Sequence, residues 1–260
     1  MIGHPVRHSL SPALHNAAFR ALGLDWVYLA FEVEPGAAKA AVTAGRSLGL
    51  AGLNVTMPHK AAAAGAVDRL TPVAEALGAV NTVVPEGMDL VGDSTDGAGL
   101  LAALAADHGF EPAGRRCVVL GAGGAGRAAI LALSRAGAAE VAVVARRREQ
   151  VDTAVALAGP VGRPGQPSDA VGADLVIIAT PVTDRLPLDL DSAFFGPSQL
   201  VVDLSYRPRV TALMSAAAAA GATTANGVGM LVHQAALSFR LWTGADAPLE
   251  AMQAAVADHR

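Results

Sequence analysis

The sequence has little cysteine, few aromatic residues, little net charge and no long apolar run. One cysteine among 260 residues, Cys117, excludes an internal disulfide, and no C-x-x-C or H-E-x-x-H motif indicates a bound metal. No segment approaches the roughly 18 uninterrupted apolar residues that a membrane helix needs, so a membrane protein is not expected. With 19 Lys+Arg against 23 Asp+Glu and no basic tract, nucleic acid is not an expected partner either.

The remaining composition favours a packed enzyme of one or two domains. Hydrophobic residues make up 52% of the chain and charged residues 16%, whereas disordered segments have low hydrophobicity and high charge. The opening segment MIGHPVRHSLSP has one early arginine and no apolar core, so it does not resemble a secretory signal. We therefore expect a cytoplasmic location.

Apolar segments of strand length alternate with Ala/Leu-rich helical segments along almost the whole chain. This alternation predicts an α/β protein with βαβ units and a parallel sheet. The predicted strands are residues 27–33, 52–55, 80–84, 90–92, 117–120, 141–145, 175–179 and 200–203. The predicted helices are residues 12–22, 37–48, 127–135 and 228–242.

A glycine-rich motif, GAGGAG at residues 121–126, follows a predicted strand and precedes a predicted helix. In that context G-x-G-x-x-G predicts a dinucleotide site. Gly121 permits the tight turn, Gly123 lets a pyrophosphate approach the backbone, and Gly126 lets the helix pack on the strand. Gly124 and Ala125 lie where the helix N-terminus offers free N–H groups to the pyrophosphate. The alternative is a glycine turn that only permits tight packing.

The segment after the next strand indicates which nicotinamide cofactor is bound. An acidic residue there would bind the ribose 2′-hydroxyl of NAD, but the strand runs into Arg146, Arg147 and Arg148 without one. Guanidinium groups suit a phosphate dianion, so we predict NADP. The alternative is a solvated first helical turn.

Four segments of the N-terminal part are unusually polar, each where a strand or the chain entry gives way to a helix or turn. They are HSLSPALHN (8–16), NVTMPHK (54–60), AVNT (79–82) and GDSTDGAG (92–99). Loops at the carboxyl ends of strands line the ligand crevice of an open α/β sheet. Their hydroxyls, amides, lysine and carboxylate suit a small, polyhydroxylated anion.

Taken in order, these motifs make the chain resemble the shikimate dehydrogenase family over nearly its whole length. The resemblance includes S-x-S, N-V-T-x-P-x-K, AVNTV, S-T-D-G-x-G, GAGGAG, the ATP tripeptide at 179–181 and the ending NGVGMLVHQAALSFRLWTG. It implies the NADP-dependent reduction of 3-dehydroshikimate to shikimate. It also implies two lobes: an α/β substrate lobe of residues 1–96 and 228–260, and a Rossmann-type, doubly wound NADP-binding domain of residues 97–227. A monomer and a homodimer both stay open.

The resemblance also implies roles for individual residues. Ser9 and Ser11 would hold the substrate carboxylate. Lys60, Asn81 and Asp96 would contact the ring hydroxyls, with Lys60 and Asp96 at the reacting oxygen. The remaining implied substrate residues are Thr56, Tyr206 and Gln234, and the implied cofactor residues beyond the glycine turn are Arg146, Thr180 and Gly229.

Each of these residues also has a simpler interpretation. Ser11 before Pro12 is a favourable helix N-cap, and Asp96 before Gly97 is another. Lys60 would be an ordinary surface lysine, and Asn54 and Asn81 would be turn formers. Only the joint occurrence of these residues, in order and beside a dinucleotide motif, favours the functional interpretation.

The sequence departs from the family pattern in several places. The family has a full strand before the Gly3 position, so we expect either a truncated start or a short sheet edge. Of the family's Asn-Arg-Thr-x-x-Arg segment only Arg146 carries over, Ser94 stands where Asn is usual, and Ile178 replaces a frequent Asn. Three alternatives stay open: a quinate/shikimate dehydrogenase using NAD(P), a non-catalytic NADP-sensing protein of the same fold, and a two-lobed dehydrogenase acting on folates.

Overall fold

The computed structural model describes residues 1–257 and divides into two compact units. The first unit comprises Met1–Gly99 together with the chain from Leu231 onward, and the second comprises Leu100–Met230. The strands are β1 (Ile2–Gly3), β2 (Phe31–Glu32), β3 (Leu53–Asn54), β4 (Arg69–Leu70), β5 (Thr82–Glu86), β6 (Asp89–Asp93), β7 (Arg116–Leu120), β8 (Glu140–Val144), β9 (Gly162–Pro164), β10 (Leu175–Ile178), β11 (Leu200–Asp203) and β12 (Thr223–Asn226). The α-helices are α1 (Ser11–Ala21), α2 (Ala38–Ser47), α3 (Lys60–Ala64), α4 (Pro72–Leu77), α5 (Asp96–His108), α6 (Gly124–Arg135), α7 (Arg148–Ala158), α8 (Ala212–Ala219), α9 (Val228–Thr243) and α10 (Leu249–Ala257).

The second unit is built on six parallel strands in the order β12-β11-β10-β7-β8-β9. Strand order reverses between β7 and β10, which is the topological switch point of a doubly wound sheet. The turn that follows β7 is the glycine-rich segment, so it lies at the carboxyl edge of the sheet beside this point. The predicted α/β class with a Rossmann-type sheet is confirmed.

Apolar side chains cover both faces of this sheet. Cys117, Val119 and Ile177 belong to one buried cluster, and the alternating neighbours Val118 and Val176 belong to another. Successive side chains of a strand point to opposite faces, so a strand buried on both faces must be apolar at every position. The runs CVVL and LVII meet that requirement, which is why they were readable as strands.

The first unit contains a four-stranded mixed sheet in the order β3-β5-β6-β4 and a parallel pair β1-β2. A bridge between Ile2 and Val55 connects β1 to the end of β3. The core of the first unit is aliphatic and includes Val42, Leu53 and Val83. This sheet places the carboxyl ends of β3 and β6 next to the start of β5, and the polar motifs lie there.

The strand predicted at residues 27–33 is shorter in the structure. Only Phe31–Glu32 pairs, because β1 offers two residues for a ladder, and Val27 and Leu29 are 71% and 52% exposed. β4, β9 and β12 were not predicted as strands. Each is short, and they lack the continuous apolar pattern of a central strand. Among the described residues, no helix is both long and apolar enough to span a bilayer.

An aromatic cluster forms the helical side of the first unit. Both tryptophans of the chain belong to it, together with His15, Phe19, Tyr28 and Phe239. The imidazole of His15 stacks on the Tyr28 ring at 4.3 Å and 8°. Neither ring nitrogen of His15 has a hydrogen-bond partner among the described residues, and the side chain is fully buried. Phe239 is fully buried and belongs to the core.

The buried imidazole makes stability depend on pH. Burial, with a smaller contribution from the N-terminal charge, lowers the pKa of His15 from 6.5 to about 3. Below about pH 6.5 the unfolded chain binds a proton that the folded chain excludes, so stability falls as the pH falls. We expect His15 alone to remove about 2 kcal/mol of unfolding free energy between pH 7 and pH 5.

Denaturant unfolding of the wild type and of His15→Phe at both pH values measures this contribution. The phenylalanine keeps a stacked ring but cannot titrate, so the pH dependence should become shallower by that amount. His108→Gln, at an exposed position at the end of α5, is the control that should keep the wild-type slope. An unchanged slope in His15→Phe would contradict the prediction.

Candidate active site

Lys60 and Asp96 form an ion pair in the first unit. Lys60 opens α3 and Asp96 opens α5, and the lysine Nζ lies 2.5 Å from the Asp96 Oδ2. Their side chains are 22% and 10% exposed, so the pair is largely withdrawn from water but still reachable. The carboxylate is also favoured by the positive end of α5. The two residues on which the predicted redox chemistry depends are therefore in direct contact.

The backbone around Lys60 is held on both sides. His59 is buried, and its Nε2 lies 2.7 Å from the Val33 carbonyl oxygen, while the Lys60 carbonyl accepts the Val80 N–H at 2.9 Å. These contacts orient the start of α3. His59 is thus a buried hydrogen-bonding residue.

Asn81 connects the ion pair to the sheet. Its Nδ2 donates to the Asp96 Oδ1 at 2.8 Å and to the Thr95 Oγ1 at 3.0 Å, and its Oδ1 accepts the Thr95 backbone N–H at 2.9 Å. Asn54 lies within β3, buried, with its Nδ2 donating to the Asn81 carbonyl oxygen at 3.1 Å. The turn-former interpretation of Asn54 is wrong, because its amide is part of a buried polar network.

Ser9 and Ser11 lie side by side at the start of α1. The Ser9 hydroxyl donates to the Ser11 hydroxyl at 3.2 Å and accepts the Ser11 backbone N–H at the same distance. Ser11 is the first residue of the helix, the N-cap position belongs to Leu10, and no side chain caps the helix. The N-cap interpretation of Ser11 is therefore wrong. Asp96 is likewise a first helical residue, and its carboxylate binds Lys60 and Asn81.

Two glycines allow close approach of the other predicted substrate residues. A side chain at Gly3 would overlap the methyl group of Thr56, whose N–H donates to the Ile2 carbonyl at 3.0 Å. A Cβ on Gly99 would lie 2.6 Å from the backbone nitrogen of Gln234. The first turn of α5 therefore packs directly against the backbone of α9 within the first unit.

Tyr206 lies in the second unit, on the segment that follows β11. Its side chain is partly buried, and this burial raises the pKa of Tyr206. The segment is held by Asp203, a fully buried carboxylate that accepts the Ser205 N–H at 2.9 Å and the Thr211 hydroxyl at 2.8 Å. Sequence reasoning missed Asp203. The available signal was an acidic residue ending an apolar strand directly before the SYRP segment.

The glycine turn has the geometry of a pyrophosphate site. Gly121 has φ +116°, and a side chain there would overlap the Ala179 carbonyl oxygen. A Cβ on Gly126 would overlap the Gly121 carbonyl oxygen, which explains the close contact between helix and turn. A Cβ on Gly123 would meet nothing within 4 Å, so open space lies beside the backbone where α6 begins.

Other groups of the second unit also suit a dinucleotide phosphate. The Thr180 hydroxyl is buried beside Gly121 and has no hydrogen-bond partner among the described residues. Arg146 is exposed at the end of β8, and no acidic side chain among the described residues pairs with it, whereas Arg148 is bound to Asp152 at 3.0 Å. These observations fit NADP. Gly229 has a packing reason of its own, because a Cβ there would lie 2.5 Å from the Asp107 carboxylate.

Comparisons with known proteins agree with this geometry. Family models match residues 1–83 (shikimate dehydrogenase substrate binding domain), 110–185 (putative NAD(P)-binding) and 227–257 (shikimate 5′-dehydrogenase C-terminal domain). A shikimate dehydrogenase (NADP(+)) of Methanopyrus kandleri is 46% identical over 277 residues, which span 100% of this chain and 94% of that protein.

Solved structures are similar over the same length. The shikimate 5-dehydrogenase of Thermus thermophilus in complex with NADP(H) and shikimate has a TM-score of 0.91 and 38% identity, covering 98% of this chain and 97% of that one. A quinate dehydrogenase of Corynebacterium glutamicum in complex with NAD has a TM-score of 0.88 and 29% identity, covering 98% and 96%.

Proposed function

We propose, because the chain belongs to the shikimate dehydrogenase family, that it catalyses the reversible, NADP-dependent reduction of 3-dehydroshikimate to shikimate. The observation that carries this proposal is the Lys60–Asp96 pair, with Nζ and Oδ2 2.5 Å apart and Asn81 bound to the second carboxylate oxygen. The partner is accordingly a small-molecule substrate.

The reaction needs a cation beside the oxygen of the substrate carbonyl. NADPH, when bound, supplies the hydride that adds to the C3 carbonyl carbon. Negative charge then grows on the carbonyl oxygen, and the Lys60 ammonium stabilises that charge and delivers a proton to it. Asp96 orients the ammonium through its Oδ2 and holds the adjacent ring hydroxyl. Protonation of this oxygen gives the C3 hydroxyl group of the product, shikimate.

The remaining polar groups of the first unit bind the rest of the substrate in this proposal. Ser9 and Ser11 hold the carboxylate through adjacent hydroxyls at the N-terminus of α1, where an anion is favoured. Asn81 contacts a ring hydroxyl. Thr56 and Gln234 complete the binding residues of this unit, and Tyr206 of the second unit is proposed as a further substrate contact.

The second unit binds the cofactor in this proposal. Gly121, Gly123, Gly124, Ala125 and Gly126 hold the pyrophosphate through backbone N–H groups and the α6 N-terminus. The further cofactor residues are Arg146 for the 2′-phosphate, Thr180 and Gly229.

The proposal also includes the bounds of the two functional domains, the location of the protein and its oligomeric state. Residues 1–96 and 228–260 form the substrate-binding lobe, and residues 97–227 form the NADP-binding domain. We propose a cytoplasmic protein without a nucleic-acid partner, on the grounds of its low charge and its single buried cysteine. The proposal includes both a monomer and a homodimer.

Steady-state oxidation assays test the proposed function. Purified protein is given shikimate or quinate with NADP⁺ or NAD⁺, and cofactor reduction is followed by absorbance. The proposal expects the highest kcat/KM with shikimate and NADP⁺. A preference for quinate would support the quinate/shikimate dehydrogenase, and binding of NADP without turnover of either acid would support the sensing protein.

Arg146 should determine the preference for NADP over NAD. Replacing it with alanine removes a guanidinium from the 2′-phosphate site, so KM for NADP⁺ should rise about tenfold while KM for NAD⁺ changes little. Arg148→Ala is the matched control, since Arg148 is paired with Asp152. Equal effects of both substitutions on KM for NADP⁺ would remove Arg146 from the site.

A further inference from the structure

A chain of buried hydrogen bonds leads from Tyr28 to the carboxylate of Asp96. The Tyr28 hydroxyl donates to the Asn54 Oδ1 at 2.6 Å, and the Asn54 Nδ2 donates to the Thr82 Oγ1 at 3.1 Å. The Thr82 hydroxyl donates to the Asn81 Oδ1 at 2.8 Å, and the Asn81 Nδ2 donates to the Asp96 Oδ1 at 2.8 Å. Every donor points toward the carboxylate.

The direction of this hydrogen-bond chain follows from the side-chain amides of Asn54 and Asn81, whose orientations are fixed. The Asn81 Oδ1 accepts a backbone N–H from Thr95, and the Asn54 Nδ2 also donates to a backbone carbonyl, that of Asn81. A backbone N–H can only donate and a carbonyl can only accept, so both amide orientations are determined. Hydrogen bonds aligned head to tail in a low-dielectric interior strengthen one another, and the last acceptor benefits.

The four residues that lead from Tyr28 to Asp96 in this hydrogen-bond chain are all buried. Tyr28 and Asn54 are each 7% exposed, Asn81 is 3% exposed and Thr82 is fully buried. The Tyr28 ring is clamped by the stacked His15 and lies 6.1 Å from the Trp242 ring. The Tyr28 hydroxyl thus adds a buried bond to the Asn54 amide from a ring that is packed between aromatic neighbours.

We infer that Tyr28 is a positioning residue for the reaction, acting on Asp96 through Asn54, Thr82 and Asn81. This inference rests on the proposed function. Without the phenol the Asn54 Oδ1 loses its donor, the chain is no longer aligned from its start, and Asp96 is held less firmly against Lys60. Neither Tyr28 nor Thr82 needs to touch the substrate for this role.

Tyr28→Phe and Thr82→Val each remove one hydroxyl from the chain and keep the side-chain volume. We expect each to lower kcat for shikimate oxidation about tenfold, because small losses of positioning are costly, while KM for NADP⁺ stays unchanged. Thr82→Val leaves the Asn54 Nδ2 with the Asn81 carbonyl and the Ser238 hydroxyl as acceptors, so this variant should fold. Thr82→Ser restores the hydroxyl and should restore kcat.

The double variant decides whether the two residues act through one chain. If they do, Tyr28→Phe/Thr82→Val has a kcat close to that of the slower single variant, since the chain is broken only once. Multiplied effects in the double variant would overturn the inference. Thr43→Val is the matched control, because the Thr43 hydroxyl only bonds to the Lys39 carbonyl on the exposed side of α2.

Thermal unfolding separates positioning from a merely structural role. Variants that lose stability but keep wild-type kcat per folded molecule would overturn the inference. Should Tyr28→Phe not fold, the comparison of Thr82→Val with Thr82→Ser decides alone: equal kcat in both overturns it. A wild type without shikimate turnover would overturn the proposed function and the positioning role with it, whereas an active wild type with multiplied effects overturns the positioning role alone.

Discussion

Replacing Lys60 with alanine will lower kcat for shikimate oxidation by a factor on the order of several hundred. The ammonium is the only cationic group bonded to Asp96 among the described residues. Its removal leaves the developing charge on the reacting oxygen without a counter-charge, and it also leaves a largely buried carboxylate unpaired. The measurement is steady-state kcat with saturating shikimate and NADP⁺, together with KM for both.

The chain offers a close control for this substitution, because Lys39 is its only other lysine. Lys39 is exposed on α2, so Lys39→Ala should leave kcat unchanged. Lys60→Arg keeps the positive charge, but a guanidinium does not release its proton in proteins. A rate for Lys60→Arg as low as that of Lys60→Ala would assign proton delivery to Lys60. A rate for Lys60→Ala within a few-fold of wild type would remove Lys60 from the reaction.

Adding a single methyl group at Gly123 will weaken NADP⁺ binding on the order of a hundredfold without destabilising the protein. The position has φ −78°, which alanine adopts without strain, and its Cβ would meet no protein atom within 4 Å. The space that the methyl group enters is the space that a pyrophosphate needs for its bonds to the backbone. Calorimetric titration with NADP⁺ gives the dissociation constant, and thermal unfolding gives the stability.

Two further glycines make this result interpretable. Gly126→Ala places a methyl group on the Gly121 carbonyl oxygen, so it should lower the unfolding temperature as well as the affinity. Gly196→Ala, in the same unit, has equally open surroundings and a backbone outside the left-handed region, and it should change neither quantity. Unchanged NADP⁺ affinity in Gly123→Ala would show that the turn serves packing alone.

The central strands were predictable because a strand buried on both faces is a continuous apolar run in the sequence. The runs at residues 117–120 and 200–203 are apolar at every position but the last, Asp203, and the structure has strands at Arg116–Leu120 and Leu200–Asp203. The segment at residues 27–33 carries a similar apolar pattern, yet only Phe31–Glu32 pairs. A strand exists only where a partner completes its ladder, and partners distant in sequence are invisible to a local pattern.

Some residues of the candidate site could likewise be predicted from the sequence, and others could not. Ser9, Ser11, Lys60 and Asp96 could be singled out because they stand in recognisable motifs. Tyr28 could not, since an isolated tyrosine in an apolar segment carries no motif and obtains its role from partners elsewhere in the chain. The local context of Ser11 and Asp96 also allowed a simpler N-cap interpretation, and tertiary partners gave both side chains other bonds.

The order of residues by itself determined the α/β class, the glycine turn, the absence of an acid before Arg146 and the kinship with one dehydrogenase family, because each is written in contiguous residues or local periodicity. Tertiary structure alone decided that Lys60 meets Asp96 across 36 positions of chain, and that Tyr28 is linked to that carboxylate through two asparagines and a threonine. Hydrogen bonds and ion pairs act over about 3 Å, and only the folded chain brings such separated groups within that range.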